Sequence, residues 1–553
     1  MNLQNKLKKK WLIIVSITVI GFSSLAFVAD TYFEISKNID IFITLYRDVN
    51  TYYVDDTDPG KLMKVAIDNM LESLDPYTNY ISESEIEDYR FQVTGQYGGL
   101  GMQISIRDNY PMITEIYEGY PCYKAKLLPG DYILKIDGQD LKNKNTSDVS
   151  KLLKGQPKTK VKLTYRRGND AEKEIELERE EILIKNVPYS GMLDESTGYI
   201  ALKDFRNDAG KDVALALKEL KEKYTGLKHV ILDLRGNPGG LLIEAVNVVN
   251  VFTPRNQLVV STKGKIKEWE KEYKTNNNPI DDNIPLIVLT NRGSASASEI
   301  VGGTIQDLDR GLTLGQRSFG KGLVQSTRPV SYGTQLKVTT AKYYTPSGRC
   351  IQALNYSHRN EDGSAGEIPD SLKKMFKTKN GRIVFDGGGI APDLKIEETK
   401  ISNITMALKA KMYLFDFATN YHKKNSTIAD AKTFKLTEKD WSDFKLYLKD
   451  KKYDYQTQSE KALEDLKKKA ENEKYFDKIK SNYLLLKNSL EAEKEADIET
   501  FKQEIIEELE LEIVKRYFYE KGTIQHSFIY DKEVKAAISL FKNEKEFNKL
   551  LKP

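Results

Sequence analysis

Residues 229–240 read His229-Val230-Ile231-Leu232-Asp233-Leu234-Arg235-Gly236-Asn237-Pro238-Gly239-Gly240. A run of buried-strand type passes directly into a turn of glycine, asparagine and proline. Apolar periodicity then resumes over Leu241–Phe252 as a helix. The same order recurs on both sides. Gly198–Phe205 reads as a strand and Gly210–Tyr224 as an amphipathic helix; Leu286–Thr290 reads as a strand and Ser298–Leu308 as a helix. Such alternation predicts a mostly parallel α/β core. Ligand sites in these sheets gather beyond the carboxyl ends of the strands. Two loops lie there: Leu234–Gly240, and Asn291-Arg292-Gly293-Ser294-Ala295-Ser296-Ala297-Ser298.

Each loop opens a helix and so offers backbone N–H groups to an anion. A phosphate is one candidate, but the first loop lacks the Lys-Ser/Thr of a P-loop and the second lacks the glycine spacing of a dinucleotide site. The other candidate is the oxyanion of acyl transfer, for which two converging N–H donors suffice. A serine of the second loop would then be the nucleophile, and a serine hydroxyl needs a base. No histidine lies nearby in sequence. A lysine serves if burial lowers its pKa toward about 7–8. Lys321 stands in Ser318-Phe319-Gly320-Lys321-Gly322-Leu323-Val324-Gln325, with glycines on both sides and Gln325 placed to orient its amine. By composition alone, a Ser-Ala-Ser-Ala-Ser run is most often a helix cap in a tight turn, and a lone lysine is most often solvated.

Working outward, residues 40–90 read as helical. Ile41, Phe42, Leu45, Val49 and Tyr52 share a face; Asp58-Pro59 caps a second helix, which Asp75-Pro76 ends. From about 91 the texture changes to short strands and glycines: Met102–Ile106, Met112–Ile116, Tyr132–Ile136 and Val161–Arg166, with Asp137-Gly138 a hairpin signal. After about 400 the chain is rich in Lys, Glu and Leu. Phe501, Ile505, Leu509 and Ile513 form a helical stripe expected to end near Gly522. The domains read as 1–29, a leader; 30–90, helical; 91–182, a half-β module; 183–400, the α/β core; and 401–553, helical.

At 553 residues the chain is too long for one ordinary domain. Two cysteines, Cys122 and Cys350, build no disulfide framework. Four scattered histidines show no metal-ligand spacing, so neither a metal nor a cofactor is signalled. The net charge of +4 also has an address. Lys6, Lys8, Lys9 and Lys10 precede the uncharged stretch Trp11–Ala29, and 85 basic residues less these four leave 81 against 81 acidic ones. The remainder is neutral, which excludes a nucleic-acid footprint. As a helix, Trp11–Ala29 spans about 28 Å, near the hydrocarbon thickness of a bilayer. The lysines keep its start cytoplasmic. An uncleaved membrane anchor is the favoured reading and a cleaved signal peptide the alternative. Both deliver the rest of the chain to the outer side of the cytoplasmic membrane.

In these residues the sequence resembles the C-terminal processing peptidases, or tail-specific proteases: PDZ-containing serine endopeptidases with a crotonase- or ClpP-like α/β core. The resemblance covers about residues 40–395. Its motifs occur in order: Leu74-Asp75-Pro76-Tyr77-Thr78, Tyr97-Gly98-Gly99-Leu100-Gly101-Met102, Leu128-Pro129-Gly130-Asp131, Asp233–Gly240, Ser294–Ile300, Phe319-Gly320-Lys321-Gly322 and Gly387-Gly388-Gly389-Ile390-Ala391-Pro392-Asp393. The resemblance implies that Ser296 is the nucleophile and Lys321, twenty-five residues later, the general base, with Gln325 beside it. It implies an oxyanion hole of the Ala297 N–H and one from Gly239 or Gly240, with Asp307 in support or simply a helix-end polar residue. Activity is then expected to rise with pH as Lys321 loses its proton.

The resemblance makes residues 91–182 a PDZ domain. Gly99, Leu100, Gly101 and Met102 can form a nest for a substrate's terminal carboxylate while the peptide adds as a strand. Leu100 and Met102 would favour protein or peptide partners with apolar C-termini. Arg167, with Arg166 as a rival, matches a residue that gates the site in some relatives. Lys126 departs from the pattern, standing where glycine is usual before Leu-x-Pro-Gly-Asp. The C-terminal region carries no motif; docking, self-association and adaptor binding are its candidate roles. The expectation is a membrane-associated, extracytoplasmic serine endopeptidase acting on protein C-termini. The alternatives are a catalytically inactive PDZ scaffold, against which the Ser296–Lys321 spacing argues, and a retinoid- or lipid-binding derivative of the same core, against which the intact dyad and the PDZ domain argue.

Overall fold

The computed structural model describes residues 32–552. The expected leader at 1–29 lies outside them, and among the described residues no helix is long and apolar enough to cross a membrane. Residues 32–80 and 81–552 belong to separate compact units. The first holds a helix over 32–52 and the helix Pro59–Glu72. Asp58 caps the second helix, accepting from the Lys61 N–H at 3.0 Å.

The second unit is built on a six-stranded sheet. Its order is Tyr189–Met192, Thr197–Ala201, His229–Asp233, Leu286–Thr290, Leu312–Gly315 and Leu394–Lys395. The first strand runs antiparallel to its neighbour and the other five are parallel. Alternate residues of each strand face opposite sides, and both sides are buried. Ile200, Val230, Leu232, Leu286 and Val288 pack on the helices Ala209–Lys223, Leu242–Phe252 and Ala297–Asp307. Tyr199, Ile231, Ile287, Leu289, Leu312 and Leu314 pack on Val534, Ala537, Leu540, Phe541 and Phe547. Those five come from the helices Lys532–Lys542 and Glu544–Leu551, so the C-terminal region completes the core. Leu258–Gly264, Lys271–Lys274, Leu323–Pro329 and Gln335–Tyr344 form antiparallel pairs in a second sheet.

The half-β module is a sheet in the order Met102–Arg107, Tyr110–Ile116, Asp131–Ile136, Lys160–Arg167, Lys173–Glu178, with the helix Thr146–Leu153 packed beside it. Lys126 keeps the glycine-like turn: its φ is 57°, and its carbonyl accepts from Arg167 Nη2 at 3.0 Å.

The helical region wraps Trp441, Phe444, Ile505, Leu509 and Ile513 into a core of its own. The stripe expected to stop near Gly522 continues to Ser527 in the helix Lys502–Ser527, which breaks instead at Tyr519 (φ 54°, ψ −154°). Gly522 serves a close approach: a Cβ there would lie 2.0 Å from Phe518 Cβ. The region also grips the half-β module. Arg107 is bidentate on Asp416 at 2.6 and 2.7 Å, and Lys515 meets Glu115 at 2.9 Å.

Candidate active site

The strand Leu286–Thr290 delivers the Asn291–Ser298 loop to the carboxyl edge of the sheet, where Ser296 opens the helix Ala297–Asp307. Ser296 has φ 54° and ψ −112°. Such a conformation costs a non-glycine residue about 1–3 kcal/mol and persists only where neighbours enforce it. Three contacts do so. The Ser296 N–H donates to Glu299 Oε2 at 2.8 Å, the Ser296 carbonyl accepts from the buried Tyr343 hydroxyl at 3.1 Å, and Ala295 N–H donates to the Asn237 carbonyl at 3.0 Å.

The Leu234–Gly240 loop runs alongside. At Gly239 (φ 99°) a Cβ would fall 2.8 Å from Ser296 Cβ and 2.9 Å from Ala297 N, so only glycine fits. The two candidate glycines now differ. Gly239 is buried and its N–H donates to Asn237 Oδ1 at 2.9 Å. Gly240 is exposed, and its N–H, like that of Ala297 in the first helical turn, has no protein acceptor among the described residues. Ala297, next to the serine in sequence, and Gly240, next to the Gly239 that packs on Ser296, are thus the two candidate donors left open.

Glu299 has no role in the sequence reading, yet it is the hub of the site. Fully buried, it accepts from Ser296 N–H, from Ser318 Oγ at 2.5 Å, from Gly320 N–H at 2.7 Å and from Lys321 N–H at 2.9 Å. One carboxylate therefore fixes the backbones of both Ser296 and Lys321. Burial pushes it up to about 7, against the pull of the hydrogen bonds it accepts. The spacing Ser296-x-x-Glu299, that of a capping box, is the local signal for it. Tyr343, forty-seven residues downstream on another sheet, has no local signal.

Lys321 is half-buried between Gly320 and Gly322. A Cβ on Gly320 would meet Ala353 Cβ at 2.4 Å, and one on Gly322 would meet Gln352 N at 2.8 Å, which explains both glycines. Gln325 lies on the strand Leu323–Pro329 just past a bulge, and its amide donates to Thr339 Oγ1 at 3.1 Å. Asp307 sits at the other end of the Ser296 helix, about 16 Å along it. It accepts from Thr345 Oγ1 at 2.5 Å, Ser347 N–H at 3.0 Å and buried Arg349 at 2.8 Å, so it braces the 345–349 turn.

Met102–Arg107 is an edge strand. With the helix Thr146–Leu153 it walls a groove of about 270 Å³ lined by Tyr97, Leu100, Met102, Ile104, Ser150 and Leu153. Gly99, Leu100 and Gly101 lead into it, and the N–H groups of Leu100 and Gly101 have no protein acceptor among the described residues. A Cβ on Gly101 (φ 76°) would lie 2.4 Å from Tyr120 Cβ. An open strand edge, an apolar groove and free N–H groups at its mouth suit an extended peptide ending in a carboxylate. Arg167 lies elsewhere. It is bidentate on buried Asp131, both contacts at 2.7 Å, and lines a small cleft with Thr419, His422 and Arg516 of the helical region. Arg166 stacks its guanidinium over the Tyr132 ring.

A family model described as peptidase family S41 matches residues 196–356, a PDZ-domain model matches residues 112–167, and a model described as "Probable PDZ-protease, C-terminal helical domain" matches residues 404–541. The chain is 37% identical over 328 residues to the carboxy-terminal-processing protease of Bartonella bacilliformis, a stretch covering 59% of this chain and 74% of that one. It is 35% identical over 319 residues to the "Probable CtpA-like serine protease" of Staphylococcus aureus, covering 57% of this chain and 63% of that one, slightly under two thirds of its length. Among solved structures, the photosystem II D1 C-terminal processing protease aligns over 64% of this chain and 92% of its own, with 26% identity and a TM-score of 0.35.

Proposed function

The chain belongs to peptidase family S41, the carboxy-terminal processing serine proteases, and from that premise we propose that it captures protein substrates by their apolar C-termini and cleaves them with a Ser296–Lys321 dyad. The observation that carries this reading is the strained Ser296, whose backbone Glu299 ties to that of Lys321 beside the open N–H groups of Ala297 and Gly240. Lys321, as the neutral amine, takes the Ser296 proton while Oγ attacks the peptide carbonyl. The tetrahedral oxyanion accepts hydrogen bonds from Ala297 and Gly240. Lys321 then gives the proton to the departing amine, and later deprotonates the water that releases the acyl group. Gln325 orients the lysine. The peptide tail adds to the Met102–Arg107 edge, its carboxylate at Leu100 and Gly101. Arg167 gates through its contacts at the Asp131 cleft rather than at the dyad.

The reading includes a membrane-associated, extracytoplasmic location, supported by Lys6–Lys10 ahead of Trp11–Ala29. Fractionation followed by N-terminal sequencing tests it. For the chemistry, an unfolded protein ending in apolar residues is incubated with the wild type, Ser296→Ala and Lys321→Ala. Cleavage by the wild type alone is expected. Equal cleavage by all three would sink the dyad, and tail binding without cleavage by the wild type would favour an inactive scaffold.

A further inference from the structure

The helical region reaches the active-site loops through one cluster. Arg235, the second residue of the Leu234–Gly240 loop, is mostly buried, with 16% of its side chain exposed. Asp233 already holds it, with Nη2–Oδ2 at 2.7 Å and Nε bonds at 3.0 and 3.1 Å. Two further carboxylates arrive from nearly 300 residues away. Asp531 is bidentate on Nη1 and Nη2 at 3.1 and 2.7 Å, and Glu533 lies 3.4 Å from Nη1. The other oxygen of Glu533 accepts from Gln316 Nε2 at 2.7 Å. Gln316 in turn starts the segment that passes through Ser318 and Gly320 to Lys321, with its N–H on the Thr290 carbonyl at 2.9 Å.

One guanidinium needs one carboxylate for charge balance, and Asp233 supplies it. Three acids around one arginine do something else: they fix the direction of a planar fork, which bidentate pairing does better than any point charge. Asp531 is itself held in place. It caps the helix Lys532–Lys542, accepting from Val534 N–H at 2.9 Å, and that helix is pinned by its apolar face to the sheet. The loop therefore has a rigid external anchor at Arg235, five residues before the open Gly240 N–H, and the same anchor steadies the approach to Lys321.

We propose that Asp531 and Glu533 are positioning residues of the peptidase reaction: through Arg235 and Gln316 they hold the Gly240 N–H and the Lys321 segment in register with Ser296. The proposal rests on the dyad reading above. Neither carboxylate touches substrate, and binding of the tail to the 99–102 groove does not involve them. A donor displaced by about 1 Å costs as much as 100-fold in rate, and complete loss of an oxyanion donor costs 100- to 1,000-fold.

The test is the full chain carrying Asp531→Asn and Glu533→Gln. Asparagine still caps a helix and glutamine can still accept from Gln316, so the fold is retained while the charges on Arg235 are lost. Rates on a peptide with an apolar C-terminus, affinity for a peptide aldehyde and melting temperature are measured beside the wild type and Ser296→Ala. The expected result is kcat lower by about 10- to 100-fold, KM within about twofold, and aldehyde affinity lower in step with kcat/KM. Asp531→Glu, which keeps the charge, should recover part of the loss. A wild-type kcat in the double variant, with Ser296→Ala inactive, overturns this proposal alone. Activity lost only in proportion to the fraction unfolded, with aldehyde affinity of the folded fraction unchanged, also overturns it and leaves a purely structural contact. Cleavage by Ser296→Ala at the wild-type rate sinks the dyad reading, and the proposal with it.

Discussion

At the scale of single residues, Glu299 joins stability to the site's geometry. Its folded value is raised to about 7 while the unfolded chain keeps the ordinary 4.5. Between those values the folded state holds a proton that the unfolded state has released, so stability is fully present below about pH 4.5 and falls as pH rises toward 7. Relative to Glu299→Gln, which does not titrate, the wild type should lose ~3 kcal/mol across that window. Denaturant titrations of both at several pH values check this; a constant difference between them would refute it. The same substitution replaces one acceptor oxygen with an NH2 that faces either the Gly320 N–H or the N–H groups of Ser296 and Lys321, and a large loss of activity is expected at every pH. Lys126 offers a milder case. It occupies a left-handed conformation that glycine adopts freely, and the strain of about 1–2 kcal/mol exceeds the entropy cost of a glycine. Lys126→Gly should therefore stabilise the protein by up to ~1 kcal/mol, read from the denaturation midpoint. The sequence made the serine, the lysine and the glycines legible because each sits in a short motif. It left Gly239 and Gly240 equivalent, because which N–H is free depends on where the Asn237 side chain turns. It was silent on Tyr343 and Arg235's distant partners, since contacts across 47 and 296 residues have no local period.

At the scale of elements, the strand Leu286–Thr290, a near-continuous apolar run, was readable to the residue, whereas the strand expected over Gly198–Phe205 is observed as Thr197–Ala201. The second sheet escaped notice. Its long strand Gln335–Tyr344 is half-buried along most of its length, and its partners lie before and after the nucleophile in sequence, so no alternation betrays the pairing. The helix Lys532–Lys542 shows the opposite limit. Its apolar face is plain at Val534, Ala537, Leu540 and Phe541, but an amphipathic face does not name the surface it covers. That surface is the sheet, and Phe541 lies stacked on the His229 ring with centroids 4.6 Å apart. Phe541→Ala should cost ~3–5 kcal/mol in global unfolding, with no change in peptide affinity at the groove. A loss below 1 kcal/mol would mean that the helix is not part of the core's cooperative unit.

At the scale of the whole molecule, the helical region holds the half-β module from one side and the peptidase sheet from the other. Arg107–Asp416 and Glu115–Lys515 form the module's charged attachment. Removing both with Arg107→Ala and Lys515→Ala should raise hydrogen exchange across the Tyr110–Ile116 strand and the facing helix Tyr413–Lys424. Unchanged exchange would show that apolar contacts alone fix the module. The covered sheet face has a further consequence for how the protein comes into being. Ile231 and its neighbours are synthesised 310 residues before Phe541. At a ribosomal pace of about 5–20 residues per second, that interval lasts roughly 15–60 s. Throughout it the face that carries Ile231 lacks its covering helices. The sheet's second face therefore closes only after residues 534–547 have been made, which sets this packing late in the order of synthesis.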